Sequence, residues 1–162
     1  YVMFQGMSSG HPTFCTMHAA SVEDVIKRLE SPPIELSPSL VEVLDLIIVM
    51  VHAREYGKNA RRVKEVTEVQ TVDRYTGKAN ITVPFKWVPA TDKILYRGYS
   101  WLLNKISIER GIAIEDIKKE IEDRKRFLDW MVEHKITDVK KTYELINMYR
   151  TNKKKVMKII KS

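Results

Sequence analysis

Short apolar runs broken by turn residues fill the first 98 residues, and helical periodicity takes over after Gly98. The first part therefore predicts mixed α/β structure over 1–98, and the second a helical domain over 99–162. Tyr1 to Met7 reads as the end of a helix stopped around Gly10. Thr13 to His18 alternates weakly between Pro12 and a helix start, which predicts a short strand. Ser21 opens the next helix as its N-cap, with Glu23 and Asp24 in the first turn, where the helix dipole favours negative charge. Ser31, Pro32 and Pro33 end it near Glu30.

Ser37 and Pro38 start a short second helix in SPSLVEVL. The LDLIIVMV that follows is almost unbroken in apolar character, the pattern of a strand covered on both faces, as in an α/β sheet. ARRVKEVTEVQ and NITVPFKWV predict antiparallel strands at the sheet's margin, joined by a DRYTGK turn. The uneven spacing of Val63, Val66 and Val69 predicts a bulge or a bend. Further on, YSWLLNKISIERG is a helix closed by Gly111. Ile114, Ile117, Ile121, Leu128 and Met131 define one buried stripe on a longer helix, and Thr137 caps a third. Short connections make these a small antiparallel bundle.

The composition permits a real core: 162 residues, 44% hydrophobic and 30% charged. A single cysteine, Cys15, excludes an internal disulfide. The longest apolar run, Leu46 to Val51, is far too short to cross a bilayer. The chain starts on Tyr1 with an apolar, helix-like YVMFQGM and no cap before it, which predicts the later part of a longer protein. Charge is uneven along it. Residues 1–98 hold 12 Lys and Arg against 11 Asp and Glu, whereas 99–162 hold 16 against 10. The excess sits in RTNKKKVMKIIKS, residues 150–162, which has basic residues and no acid. Such a tail attracts phosphate backbones or an anionic lipid surface, or serves as a solvated terminal helix.

Candidate chemistry gathers in MSSGHPTFCTMHAAS, which holds the cysteine and two of the four histidines. His11, Cys15 and His18 have a compact H-x3-C-x2-H spacing. Zinc, however, needs about four converging ligands, and a strand over Thr13 to His18 sends Cys15 and His18 to opposite faces. The same geometry weighs against a Cys15 and His18 thiolate pair and favours Cys15 as a small buried hydrophobe. A third reading puts His18 at the carboxyl end of a strand that precedes a helix, where ligands of open α/β sheets sit. A histidine there can donate to a phosphate oxygen. Taken singly, either histidine also fits an ordinary core or surface position.

The run GHPTFCTMHAASVEDVIKRLESPPI closely resembles the histidine box and following helix of the type II secretion and type IV pilus ATPases, in particular the archaeal branch that includes the archaellum motor ATPase. Gly10, His11, Thr16, Met17 and His18 carry the box. LDLIIVMV, RRVKEVTEV and RKRFLDWMVEHKITDVKKTYELINMY are similar to later parts of the same family. The resemblance implies a partial RecA-like ATPase core followed by a C-terminal helical bundle. It implies a hexameric ring, cytoplasmic and peripheral to the membrane, that uses ATP and Mg²⁺ to drive secretion or filament assembly beside a membrane platform protein. It also implies that His18 and His11 are the catalytic and nucleotide-sensing residues, with Thr16 as a helper through its hydroxyl.

One motif of that family is missing. A P-loop requires G-x-x-x-x-G-K-[ST], and neither Gly57-Lys58 nor Gly77-Lys78 satisfies it. The family's Mg²⁺-holding carboxylates also precede its histidine box, so this chain alone is expected to lack ATPase activity and to hold no cofactor tightly. Arg28, Arg61 and Arg62 are candidates for phosphate or neighbouring-subunit contacts, although exposed arginines usually make neither. Trp87, Trp101 and Trp130 are spread out as packing residues, with no stacking platform, so nucleic acid is not an expected partner of the core. Two rival readings stay open. One is a basic interaction module that binds nucleic acid or anionic membrane through residues 150–162. The other is an interaction domain in which both histidines are structural.

Overall fold

The computed structural model describes residues 1–57 and 59–160; Lys58, next to Gly57, and Lys161 and Ser162 of the basic tail lie outside the described residues. The chain divides into two compact units, Tyr1–Asn104 and Lys105–Ser162. It is a mixed α/β protein.

In the first unit, α1 (Val2–Ser8), α2 (Val22–Glu30) and α3 (Pro38–Val41) precede a sheet of β1 (Leu46–His52), β2 (Arg61–Val72), β3 (Ala79–Val88) and β4 (Lys93–Tyr96). The strands lie in chain order and each neighbouring pair is antiparallel. Ser21 caps α2 by accepting from the Asp24 N–H at 3.1 Å, and Val22, Ile26 and Leu29 recur at helical spacing on its buried face. These three join Phe4, Leu36, Val41, Val69 and Val72 in one core, with Ile47, Val49 and Ile81 of the sheet packed against it. The helices thus cover a single face of the sheet.

That one-sided covering corrects the expectation for LDLIIVMV. β1 is an edge strand that pairs with β2 alone among the described residues, and its side chains alternate rather than being buried throughout. Ile47, Val49 and Val51 turn toward the helices, while Leu46, Ile48 and Met50 are exposed. β2 and β3 lie in the middle of the sheet instead of at its margin, and no parallel pair forms among the described residues. Thr13 to His18 is also no strand; it is without regular structure. The short β4 was not predicted, because Lys93–Tyr96 is exposed along its whole length and shows no alternation. The expected irregularity in β2 is present: the register slips between Val49 and Met50 on β1, and between Val66 and Glu68 and Val69 and Thr71 on β2.

Turn chemistry fixes the β2–β3 hairpin. The Asp73 carboxylate accepts from the Thr76 N–H at 2.7 Å, the Thr76 hydroxyl at 2.8 Å and the Tyr75 N–H at 3.0 Å, and those bonds hold it below the usual carboxylate range. Gly77 takes the left-handed conformation, φ +65°, that the turn needs. At the other end of the hairpin, Asp92 accepts from Arg62 through two nitrogens, at 2.8 and 2.7 Å, and from the Trp87 indole at 2.8 Å. Arg62 holds the Asp92 carboxyl low, and the aspartate raises the guanidinium in return. On the face of the sheet away from the helices, buried Glu68 caps the start of α4 (Trp101–Arg110). It accepts from the Ser100 hydroxyl and from the backbone N–H groups of Trp101, at 2.8 Å, and Leu102, at 3.3 Å.

The second unit contains α5 (Ile114–Glu133), α6 (Val139–Thr151) and α7 (Lys153–Ile159). Its core is Phe127 and Met131 of α5, Tyr149 of α6 and Val156 of α7, with the Phe127 and Tyr149 rings stacked 5.0 Å apart. The predicted stripe on α5 is corrected in part. Met131 is buried, but Ile121 and Leu128 are exposed, and the buried face runs through Asp123, Phe127 and Met131. The rings set this choice: Phe127 meets Tyr149, and that turns Ile121 and Leu128 outward while Ile114 and Ile117 stay half-buried. The cap of α6 is Asp138, one residue beyond Thr137, accepting from the Lys141 N–H at 2.8 Å. Asn152 caps α7 in the same way at 3.1 Å, so Lys153–Ile159 of the tail is a docked helix. No helix among the described residues is long and apolar enough to cross a membrane.

Candidate functional site

Two stops and one tether shape the chain around the histidines. Gly10, at φ +86°, ends α1, and the N–H groups of Gly10 and His11 close back on the Met7 and Gly6 carbonyls at 2.9 and 3.1 Å. The segment then runs without regular structure until Ser21 starts α2. Arg28, one turn before the end of α2, reaches back and donates from its guanidinium to the His18 carbonyl. The tether fixes the backbone of His18 and leaves its ring exposed.

A groove of about 590 Å³ opens here. Cys15 to Ala19 line it, as does β1 along its whole length, and Phe4, Val25 and Leu29 supply apolar surface from α1 and α2. Thr16 and His18 thus line one groove. His11 is not among the groove's lining residues. It sits exposed at the end of α1, its Nδ1 3.2 Å from the Ser9 hydroxyl and its carbonyl accepting from the Thr13 hydroxyl at 3.1 Å. Cys15 is a correction: it is exposed, not a buried hydrophobe, and with no strand to separate them Cys15 and His18 line the same groove. Among the described residues, no group of three or more His, Cys, Asp and Glu is placed to hold a metal ion.

The lining offers donors. Thr16, Ser21, His18, His52 and Arg61 contribute hydroxyls, imidazoles and a guanidinium, and no Asp or Glu takes part among the described residues. That donor set fits phosphate oxygens and does not fit Mg²⁺, which takes carboxylate ligands. Of the lining residues, Arg61 was among the sequence candidates for phosphate contact, together with Arg28 and Arg62, whereas His52, the last residue of an apolar strand, was weighed only as a fourth metal ligand without a motif.

No family model matches the chain. It is similar to three proteins of the archaeon Methanocaldococcus jannaschii. It is 32% identical to the uncharacterized protein MJ1287 over 127 residues, 78% of the chain and 47% of that protein. It is 29% identical to the uncharacterized protein MJ0900 over 152 residues, 90% of the chain and 27% of that protein. It is 24% identical to the uncharacterized protein MJ0781 over 146 residues, 90% of the chain and 20% of that protein. The chain spans about half or less of the length of these relatives.

Proposed function

We propose that the chain is the C-terminal part of a hexameric secretion or pilus-assembly ATPase, in which His18 meets the terminal phosphate of ATP and couples hydrolysis to movement. The observation that carries the reading is the groove, where two residues of the histidine box, Thr16 and His18, share a lining that offers hydrogen-bond donors and cations and no carboxylate. A neutral or protonated imidazole donates to a phosphate oxygen, and a threonine hydroxyl adds a second donor. His11, outside the groove, takes a more distant part. No residue here is assigned to Mg²⁺.

The partial RecA-like sheet belongs to this proposal as well. A RecA-like core needs parallel strands, and the same groove has beside it the edge of β1, which pairs with β2 alone among the described residues, and the Cys15–His18 segment, which is without regular structure. An open strand edge carries N–H and C=O groups of the kind that accept a further strand. In this reading, strands from another part of the protein extend the sheet at the β1 edge and bring the nucleotide to His18. The ring neighbours and a membrane platform protein are its partners, at the cytoplasmic face.

The test is His18→Ala in the longest protein that contains this chain. Phosphate release is expected to fall about 100-fold or more, in line with the loss of a positioned catalytic group. Hydrolysis unchanged by that substitution, with the protein still folded, overturns the reading. The rival, a basic module on an anionic surface, is favoured by the exposure of Lys154, Lys155 and Lys158 on α7. It predicts binding to anionic vesicles that falls steeply with salt and disappears when those three lysines are replaced by glutamine.

A further inference from the structure

We infer that Arg28 is the positioning residue of His18: it meets no ligand itself, and it holds the imidazole in the groove through its grip on the His18 backbone. The inference rests on the proposed function and adds to that site a residue of α2. It gives Arg28 a different part from the phosphate contact for which the sequence made it a candidate.

The segment that carries His18 has little else to hold it. From Phe14 to Ala20 the backbone is neither helix nor strand, and among the described residues the bond from the Arg28 guanidinium to the His18 carbonyl is the only hydrogen bond these residues make. Phe14 to His18 are all exposed, so burial does not fix the stretch either. A stretch with neither hydrogen bonds nor burial samples many backbone conformations, and ordering it costs entropy. One bond from an ionised donor, stronger than a neutral one, restrains it at the residue that carries the imidazole.

The anchor is ordered where the segment is not. Ser21 caps α2, and Val22, Ile26 and Leu29 bury one face of it in a single core with Val69 and Val72 of β2. Arg28 stands on an exposed part of that helix, and helical side chains lean toward the N-terminus, which carries its guanidinium back toward the residues before the cap. It enters no ion pair among the described residues, so no carboxylate draws it elsewhere. Arg28 does not line the groove, whereas Thr16, His18 and Ala19, around the carbonyl it holds, all do. A guanidinium outside the groove acts from behind the histidine. Fixing the carbonyl fixes the planar peptide that follows it, and with it the direction from which the imidazole enters the groove. Such placement matters, because a reacting group displaced by about 1 Å can lose about 100-fold in rate.

Two measurements test the assignment. In the 162-residue chain, backbone order parameters from ¹⁵N relaxation are compared for wild type, Arg28→Met and Arg28→Lys. Methionine keeps the helix propensity of arginine and removes the donor, while lysine keeps a charged donor. The expected result is that R28M lowers the order parameters from Phe14 to Ala20 to below about 0.6 and leaves those of α2 and β2 unchanged, with partial recovery in R28K. In the longest protein that contains this chain, R28M should lower kcat for ATP hydrolysis about tenfold at unchanged KM, and R28K should recover most of it. R28M should cost nothing further in a protein that already carries His18→Ala, since Arg28 acts only through His18. Order or kcat unchanged in R28M overturns the inference. So do losses from R28M and His18→Ala that multiply in the double variant, the sign of an arginine that contacts the ligand itself. Where His18→Ala impairs hydrolysis, those results leave the proposed function standing. Hydrolysis that survives His18→Ala overturns the proposed function and the inference together.

Discussion

Replacing Lys153 decides whether the start of the basic tail is structural or available for a partner. Its ammonium bonds to Asp123 at 2.7 Å and to Glu120, and lies 5.8 Å from the centre of the Tyr149 ring. The Asp123 side chain is 12% exposed and that of Lys153 36%. Losing one partner of a fully buried pair costs about 3–5 kcal/mol, and an exposed pair contributes about 0–1 kcal/mol. This pair is intermediate and partly screened, so Lys153→Met should destabilise the helical unit by about 2 kcal/mol, most of it from the stranded Asp123 carboxylate. The pH dependence follows from the shifts. Lys153 holds Asp123 below its ordinary value of 3.8. Glu120, which burial pushes upward, is drawn below its ordinary 4.5 by Lys153 and Arg124. Depressed carboxyls add stability that is present above those unfolded values and is lost as pH falls through the lower folded ones. Lys153 itself is raised above 10.5, chiefly by Asp123, so its share is complete below that pH and is lost as pH rises through the higher folded value. The deficit of K153M should therefore be level across neutral pH and shrink in strong acid. Amide hydrogen exchange of α6 and α7 in the intact chain measures it residue by residue. A K153M protein as protected as wild type at pH 7, or a deficit that persists undiminished once the carboxyls are protonated, would refute the reasoning.

Three further outcomes are expected. Ser21→Ala, which removes the hydroxyl that accepts from Asp24, should destabilise the first unit by about 1 kcal/mol in urea unfolding, where Ser21→Asp should restore it. Glu68→Gln should speed exchange of the Trp101 and Leu102 amides, because the helix start loses a buried anion, with a local loss of about 1–3 kcal/mol. The purified chain should release no phosphate from ATP, and turnover that His18→Ala abolishes would refute the expectation that it lacks the hydrolytic machinery.

Local signals in the sequence were read well where the cause is local. The Ser21 cap, the Pro32-Pro33 stop, the Asp73–Lys78 turn and Gly111 after α4 each depend on residues within one turn of themselves, and each appears in place. The α6 cap, expected at Thr137 and found at Asp138, is a local miss by one residue, and the larger errors lie where burial is decided at long range. LDLIIVMV has enough apolar residues to be covered on both faces, but what covers a strand is set by the rest of the protein, and among the described residues Ile47 and Val49 pack against the core that α1, α2 and α3 supply while Leu46, Ile48 and Met50 stay exposed. The α5 stripe was wrong in part for the same reason. Met131 is buried and Ile114 and Ile117 are half-buried as expected of a stripe, but Ile121 and Leu128 are exposed, because the position of Tyr149 on another helix selects the Phe127 side.

The site was legible as a cluster and illegible as a constellation. Thr16, His18 and His11 were singled out by resemblance to a histidine box; Thr16 and His18 line the groove and His11 does not. Arg61 and Arg28 were sequence candidates with no stated neighbour, and the structure gives each one: strand pairing sets Arg61 opposite His52, nine residues away in sequence, and the last turn of α2 brings Arg28 onto the His18 carbonyl. These additions change what the groove can do. One imidazole at a groove's rim is compatible with almost any role, whereas imidazoles from two segments, hydroxyls and a guanidinium, with no Asp or Glu among the described lining residues, form a donor set that favours an anion over a metal cation. The composition of the lining therefore narrows the chemistry further than the histidine spacing does.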